Sequence, residues 1–219
     1  MEDVSWFGHA SFSFVDKNGN KIYYVDPFDL KAKNLKEADI IFITHAHYDH
    51  FSQDDIKKII KDNAVIIATA DVLEKIDIEN ERKIKVEPNK NYEVKGFSFS
   101  TVPAYNNRPE RLNFHPKNNN WVGYIFNLND KKIYHAGDTD FIEEMKRLRN
   151  LGLDIAMLPM GGTYTMDVVE AAAAANAICA KVTIPMHYKS LLREKSKEAE
   201  EKFKKLVTGS KITLLEELK

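Results

Sequence analysis

The sequence predicts an α/β fold with two β-sheets and helices outside them. Continuous or alternating apolar runs predict the strands, and amphipathic stretches with capping residues predict the helices. The predicted elements come in the order strands, strand–helix units, strands, and strand–helix units again. This repeated order is typical of two similar halves, each built on its own sheet. We find no linker in the sequence, so residues 1–219 are expected to form a single domain.

In the first half, a turn at residues 18–20 predicts antiparallel pairing of the strands around it. An amphipathic helix is expected at 54–61, where isoleucines share one face. Asp71 is expected to cap a second helix that runs to residue 76. The strands predicted in this half cover residues 4–7, 11–15, 21–25, 40–44 and 65–68.

In the second half, Thr165 is expected to cap a helix at 166–180, and further helices are expected at 141–149 and 194–206. Gly161 and Gly162 precede the capped helix and indicate either an anion site or close backbone packing. The predicted strands cover residues 83–86, 91–94, 97–102, 121–127, 132–135, 155–158, 182–185 and 211–215. The polar, asparagine-rich segment 103–120 predicts an exposed loop, and loops of this length are usually functional or disordered.

Composition argues against several classes of protein. The 32 basic and 33 acidic residues leave a net charge of −1, which gives no electrostatic footprint for nucleic acid or an anionic membrane. No apolar run reaches the ~18 residues of a membrane-spanning helix, and the N-terminal residues do not resemble a signal peptide. The single cysteine, Cys179, can form no internal disulfide. We therefore expect a cytoplasmic protein that acts on a small molecule, with homo-oligomer formation left open.

The strongest functional signal is the sequence Thr-His-Ala-His-Tyr-Asp-His at residues 44–50. It follows an apolar run that predicts a buried strand. His45 and His47 are two residues apart, so both point to one side of an extended segment. Asp49 and His50 come after the chain has turned, so their side chains can point toward a second position nearby. Imidazole nitrogens with a carboxylate are the donor set of zinc, iron or manganese, so this stretch predicts a metal site.

Other polar residues at strand ends are candidates for the same site. Asp138 follows a strand and a glycine, and would either bridge two metals or cap the next helix. His187 ends a buried strand, as either a ligand or a hydrogen-bonded core histidine. His9 lies in a tight turn between strands. Asp26 precedes a proline and would either orient a ligand histidine or cap a turn.

The stretch THAHYDH resembles the HxHxDH signature of the metallo-beta-lactamase superfamily. Asp138 in GDTD and His187 in PMHY match the later metal ligands of that superfamily, in the same chain order. The segments GHA, DPF and GGTYTM resemble a smaller branch of uncharacterised metal-dependent hydrolases related to the ascorbate-phosphate lactonase. The resemblance covers nearly the whole chain and implies a four-layer αββα sandwich with the metals at one edge.

The resemblance also implies a set of metal ligands. The first ion would be bound by His45 and His47, the second by Asp49, His50 and His187, and Asp138 would bridge them. Zinc is expected at one or both positions, with manganese or iron as alternatives.

One departure from the superfamily pattern concerns the first ion. The branch often carries a histidine ligand as VPA-x-His, where this sequence has VPA followed by Tyr105 and Asn106. Three explanations are open. His115 folds back from the long loop and supplies the imidazole, or Asn106 or Tyr105 binds weakly, since an amide oxygen suits magnesium or manganese better than zinc. In the third explanation, the position of the first metal ion is empty and the protein binds one metal ion.

The function implied is that of a metal-dependent hydrolase in which a metal-bound hydroxide attacks an ester, lactone or phosphoester of a small, anionic metabolite. Asp49 would hold or deprotonate the water, and His9 would help to place ligands or substrate. Substrate contacts are expected from Asn106, Arg108 and Arg111 on the long loop. Two alternatives stay open: a phosphodiesterase or phospholipase-D-like hydrolase, and a metal- or ligand-binding protein without turnover, which the missing histidine motivates.

Overall fold

The structure is a computed structural model that describes residues 3–219, so Met1 and Glu2 of the N-terminal segment considered above lie outside the described residues. The chain divides into two compact units. The first contains residues 3–87 and 216–219, and the second contains residues 88–215. Each unit holds one mixed sheet together with helices, which confirms the predicted α/β class with two sheets. Across residues 3–219, no helix combines the length and the apolar character that crossing a membrane requires.

The sheet of the first unit has six strands in the described part of the chain, and they lie side by side in sequence order. They are β1 (Val4–Gly8), β2 (Ser11–Val15), β3 (Ile22–Val25), β4 (Ala38–Ile43), β5 (Ile60–Ala68) and β6 (Lys83–Lys85). Strands β1 to β3 pair antiparallel, and β3 to β6 pair parallel. The parallel strands β4 and β5 are rich in buried isoleucine, as expected for strands covered on both faces.

Helix α1 (Gln53–Ile59) connects the parallel strands β4 and β5, as the amphipathic pattern predicts. Its Ser52 cap accepts a hydrogen bond from the backbone N–H of Asp55, and isoleucines of the inner face are buried. The helix ends before the predicted residue 61. Ile60 instead pairs with Ala38 and begins strand β5, so sheet pairing outweighs helical periodicity at this point.

The sheet of the second unit has seven strands within residues 88–215, in the order β13-β12-β11-β10-β9-β8-β7. They are β7 (Asn91–Val94), β8 (Phe97–Pro103), β9 (Val122–Leu128), β10 (Lys131–His135), β11 (Ile155–Pro159), β12 (Val182–Met186) and β13 (Lys211–Ile212). Strands β7 to β10 pair antiparallel, and β10 to β13 pair parallel. The described helices after α1 are α2 (Ala70–Leu73), α3 (Glu143–Arg147), α4 (Val168–Ile178), α5 (Lys189–Leu192) and α6 (Ser196–Leu206).

Two predicted helix caps are wrong by a few residues. Thr69, not Asp71, occupies the N-cap position of α2, and its hydroxyl donates a hydrogen bond to the Asp71 carboxylate. Asp167, not Thr165, caps α4. Its side chain accepts from two backbone N–H groups, while the Glu170 side chain accepts from the N–H of Asp167. This reciprocal capping box fixes where α4 begins.

Polar residues follow the carboxyl ends of the central strands in both sheets. In the first unit, Asp26 follows β3 and residues 44–50 follow β4. In the second unit, Asp138 follows β10 and His187 follows β12. Because the carboxyl ends of neighbouring parallel strands meet at one edge, each sheet gathers its own candidate ligands there.

The loop between β8 and β9 is only partly exposed, although the sequence predicted an exposed loop. Residues 117–120 are exposed, but Asn106, Arg111 and His115 are almost fully buried. Each of the three contacts a carboxylate that lies far away in sequence, which the local composition of the loop does not reveal.

Gly123 in β9 provides a test of the packing around the segment that leads to Asp138. A Cβ atom there would lie 2.6 Å from the carbonyl oxygen of Ala136 and 2.7 Å from that of His135. We expect Gly123→Ala to lower the free energy of unfolding by about 1–3 kcal/mol, because the backbone must move to admit the methyl group. Urea denaturation measures this change.

The matched control is Gly209→Ala in the same unit, where the nearest atoms to the added Cβ are 3.5 Å away. Equal stability of the two variants would contradict the tight packing at Gly123.

Candidate metal centre

Four side chains of the 44–50 motif and its neighbour His9 form what we call the N-terminal histidine cluster: His9, His45, His47, Asp49 and His50. The ring centroids of His45 and His50 are 4.1 Å apart, and those of His45 and His47 are 4.6 Å apart. His45 Nε2 lies 3.0 Å from His47 Nδ1. His45 and His50 are 1% and 0% exposed, so these are not solvated loop histidines.

His9 lies against the same cluster, as the sequence suggested. Its Nε2 is 2.9 Å from Oδ2 of Asp49, and its ring lies edge-on to His50 at 5.5 Å. His9, Asp49 and His50 each offer a ligand atom within 4.8 Å of the others. His9 is therefore placed either to bind a metal or to orient the Asp49 carboxylate.

Asp26 orients two histidines of this cluster, which resolves the choice that the sequence left open. The carboxylate is fully buried and accepts hydrogen bonds from His50 Nδ1 at 2.8 Å and from the Thr44 hydroxyl and N–H, both at 2.7 Å. Because the Thr44 hydroxyl donates its one hydrogen to Asp26, its oxygen accepts from His45 Nδ1 at 2.9 Å. Both rings thus carry their proton on Nδ1 and a lone pair on Nε2.

The second unit contributes what we call the Asp138 cluster, made of His115, Asp138 and His187. Oδ2 of Asp138 lies 3.0 Å from Nε2 of His187 and 3.2 Å from Nε2 of His115. All three side chains are at least 97% buried. A carboxylate oxygen that faces two imidazole nitrogens is an arrangement suited to a bridging ligand.

The backbone around His187 is specialised. His187 has φ +55°, in the left-handed region that non-glycine residues seldom occupy. A Cβ at Gly161 would overlap the carbonyl oxygen of His187, so only glycine admits this approach. The structure thus assigns close backbone packing to Gly161.

The positions where the superfamily usually has a histidine are committed to other contacts. The Tyr105 hydroxyl donates to Glu144 at 3.0 Å and accepts from Lys117 at 3.2 Å. The pKa of Tyr105 is raised, mainly because the hydroxyl is buried. The hydrogen bond from Lys117 lowers the pKa, and the contact with Glu144 raises it. Asn106 hydrogen-bonds His115 at 2.8 Å. His115, the histidine that the first of the three explanations invokes, lies with its Nε2 3.2 Å from Oδ2 of Asp138.

The two arginines predicted to contact substrate are engaged by carboxylates. Arg111 is 5% exposed, with Nε 2.9 Å from Asp140 and Nη1 donating to the carbonyl oxygen of Thr165. Its Nη2 donates to both carboxylate oxygens of Glu170 at 2.7 and 2.8 Å. Arg108 also donates to Glu170, but 55% of its side chain stays exposed. Arg111 therefore anchors the loop, and Arg108 is the more accessible of the two cations.

Sequence reasoning missed the carboxylates that hold this loop, Asp140 and Glu170. Asp140 accepts hydrogen bonds from the backbone N–H groups of Asn107 and Arg108 and from the side chain of Asn106. One signal was available, because Asp140 is the second aspartate of the GDTD segment that contains Asp138. The Asp-x-x-Glu spacing of a capping box marks Glu170 as a cap residue, but no local pattern reveals that it also anchors the loop.

The donor atoms fit divalent ions of the zinc class. In the N-terminal histidine cluster, Asp26 fixes His50 directly and His45 through Thr44. As a result, the Nε2 atoms of both rings have lone pairs that can bind a metal. In the Asp138 cluster, two imidazole nitrogens and a carboxylate oxygen converge. Imidazole and carboxylate ligands at buried positions are the set that zinc, iron and manganese prefer.

Comparison with known sequences agrees with this chemistry. A sequence profile described as Beta-lactamase superfamily domain matches residues 3–187. A UPF0173 metal-dependent hydrolase from Thermoplasma acidophilum is 35% identical over 199 residues, covering 84% of this chain and 82% of the relative. A protein of the same name from Thermococcus onnurineus is 36% identical over 200 residues, covering 86% and 85%.

Solved structures show the same fold. The crystal structure of a Parabacteroides distasonis protein, assigned provisionally as a metal-dependent hydrolase, aligns with a TM-score of 0.84 at 31% identity, covering 99% of this chain and 93% of that one. A metallo hydrolase from Ignicoccus hospitalis aligns with a TM-score of 0.76 at 23% identity, covering 99% and 95%.

Two mixed sheets with histidine and aspartate ligands at their strand ends define the metallo-beta-lactamase class of proteins. The chain belongs to this superfamily, among its metal-dependent hydrolases. The resemblance inferred from the HxHxDH motif is thereby confirmed.

Asp26→Asn tests the orientation of the N-terminal histidine cluster. The asparagine side chain has only one oxygen, and this oxygen must face His50 to accept its hydrogen bond. The NH₂ group then faces the N–H of Thr44, so that two donors oppose each other. We expect metal affinity to fall about 10- to 100-fold, as for other groups that orient metal-binding histidines. Zinc competition with a chromophoric chelator measures it.

The control is Asp29→Asn in the same loop, whose 53%-exposed side chain pairs with Lys31. An affinity in Asp26→Asn equal to that of this control would show that Asp26 does not orient the ligands.

Glu170 gives the loop anchor a pH dependence. Burial alone would raise the Glu170 pKa, but the Asp167 N–H and the guanidinium groups of Arg111 and Arg108 outweigh it and hold the pKa below its usual 4.5. A lowered folded pKa means that the stabilisation is complete above about pH 4.5 and is lost as the pH falls through the lowered value. We expect Glu170→Gln to cost on the order of 1–2 kcal/mol at pH 7 and less in acid, measured by chemical denaturation.

Glutamine keeps the capping role, so the difference isolates the ion pairs. Glu143→Gln, in the exposed pair with Lys146, is the control and should change stability little. A Glu170→Gln effect that does not diminish in acid would refute the assignment.

Proposed function

We propose that this protein hydrolyses an ester, lactone or phosphoester bond of a small molecule at a centre of two zinc ions. The observation that carries the proposal is the Asp138 cluster, where one buried carboxylate oxygen lies within 3.2 Å of two buried imidazole nitrogens. Membership of the superfamily supports treating this cluster and the N-terminal histidine cluster as metal ligands.

The ligand assignment follows the superfamily pattern residue by residue. His45 and His47 are assigned to the first ion, Asp49, His50 and His187 to the second, and Asp138 to both. We assign His115 to the first ion in place of the histidine that is absent after β8. Its burial and its 3.2 Å approach to Asp138 support this choice over Asn106 and Tyr105.

The chemistry of the proposed reaction divides between the ions and the chain. Bound zinc supplies a nucleophile by lowering the pKa of water, and it polarises the bond to be cleaved. Asp49 is proposed to orient the attacking water and to accept its proton at a carboxylate oxygen. His9 holds that carboxylate through the 2.9 Å contact of its Nε2 with Oδ2. A fixed carboxylate needs less reorganisation during proton transfer.

Accessible side chains next to the ligands are the proposed substrate contacts. The side chain of Arg108 is 55% exposed, and its guanidinium group suits a phosphate or carboxylate. Phe114, the neighbour of His115, is 37% exposed and packs edge-on against Tyr164, which is 39% exposed. This mixture suits a small substrate with an anionic group and an apolar part.

Metal analysis tests the ligand assignment. We expect two zinc ions per chain, about one in His115→Ala, and a loss of the second ion in His50→Ala and in His187→Asn. Asparagine is used at 187 because it tolerates the left-handed backbone. Hydrolysis should fall on the order of 100-fold or more in the last two variants, since ligands matter more than the groups that orient them.

Elemental analysis and circular dichroism measure metal and fold, with Asp29→Asn as the control. Full metal content in both His50→Ala and His187→Asn would contradict the proposed ligand assignment. Chromogenic carboxylic esters, lactones and phosphodiesters then separate the substrate classes. Turnover of phosphodiesters alone would favour the phosphodiesterase alternative, and metal binding without turnover of any class would contradict the proposed hydrolysis.

A further inference from the structure

Asn106 occupies the place after β8 where the superfamily pattern has a ligand histidine, yet its side chain is fully used within the protein. It is 2% exposed. Nδ2 donates to Asp140 Oδ1 at 3.0 Å and to the carbonyl oxygen of Tyr164 at 3.1 Å. Oδ1 accepts from the backbone N–H of His115 at 3.0 Å and contacts His115 Nδ1 at 2.8 Å.

These partners fix which way the amide points. The carbonyl oxygen of Tyr164 can only accept a hydrogen bond, so the NH₂ group of Asn106 must face it. The Asp140 carboxylate, paired with Arg111 at 2.9 Å, accepts the other amide hydrogen. The amide oxygen therefore faces His115.

The amide orientation in turn fixes the tautomer of His115. An amide oxygen only accepts, so His115 Nδ1 must carry the hydrogen in the 2.8 Å contact. A neutral ring then has its lone pair on Nε2, the atom 3.2 Å from Asp138 Oδ2. Two atoms with lone pairs at this distance are stabilised by a cation that both can bind.

The amide itself is held by a second layer of contacts. Asp140 also accepts the backbone N–H groups of Asn107 and Arg108, at 2.8 and 3.0 Å. The backbone N–H of Asn106 donates to the carbonyl oxygen of His115 at 2.8 Å. Three hydrogen bonds thus join Asn106 to His115 across the eight intervening residues of the loop.

We propose that Asn106 is a positioning residue that sets His115 in the Nδ1–H tautomer, so that Nε2 serves as the metal-binding atom. The proposal rests on the proposed function only in taking His115 as a ligand. It gives Asn106 a role other than direct metal or substrate binding, since either would require the amide oxygen to give up a bond to His115. The chain thus supplies a loop histidine together with the acceptor that orients it.

The test uses the full-length protein, before and after zinc removal with a chelator. Nitrogen-15 NMR of the histidine rings reports which nitrogen of His115 carries the hydrogen, with the signals assigned by their loss in His115→Gln. We expect Nδ1–H in the wild type. In Asn106→Leu, which keeps the branched shape and removes every polar contact of the side chain, we expect Nε2–H to gain population and one zinc ion to bind about 10- to 100-fold more weakly.

Two further variants separate positioning from general loop damage. Asn106→Asp keeps an acceptor for His115 and should keep Nδ1–H, recovering part of the zinc affinity that Asn106→Leu loses. Asn107→Leu alters the neighbouring side chain, which donates only to the carbonyl oxygen of Phe141 among the described contacts. It should leave tautomer and affinity unchanged.

The outcomes are distinguishable. An Nε2–H tautomer in the wild type overturns the proposal even if the variants fail to fold. An unchanged tautomer and zinc affinity in Asn106→Leu, or equal losses in Asn107→Leu, overturn it as well. Full zinc content in His115→Gln instead contradicts the proposed ligand set, and leaves the tautomer result as a separate finding.

Discussion

A buried acceptor behind an imidazole ring decides which ring nitrogen keeps its lone pair, and each unit applies this constraint to its own cluster of candidate ligands. Asp26 acts on His50 directly and on His45 through the Thr44 hydroxyl. Asn106 acts on His115. Changing tautomer would leave a buried acceptor facing a bare nitrogen, at a cost of about 1–3 kcal/mol. The rings are therefore set before any metal arrives.

The same edges of the sheets hold unusual backbone conformations. His9, Asp26 and His187 all have φ near +50°, a region that costs non-glycine residues of order 1 kcal/mol or more each. Each lies at or next to a strand end, where the rigid sheet holds one side of the residue in place. Such conformations turn the side chains of these residues away from the strand direction. The sheets thus supply the stability that the strained positions lack.

Most of the fold could be predicted from the order of elements, and the N-terminal candidate ligands from the HxHxDH motif. Both signals are available because apolar periodicity and ligand spacing are local in sequence. Asp138 and His187 could be named from the family resemblance. The anchoring of Arg111 by Asp140 and Glu170 could not, since these hydrogen bonds join residues about 30 and 60 positions apart. Arg111 therefore looked like a substrate contact in the sequence, although its charge is neutralised within the fold.

The three hydrogen bonds between Asn106 and His115 close the intervening segment into a ring. The closed ring separates His115 at its base from the residues at its tip, where residues 107–110 and 112–114 are exposed. Substitutions at these exposed positions do not remove the three hydrogen bonds that hold His115. The loop therefore combines a fixed base with an exposed tip that can vary in sequence.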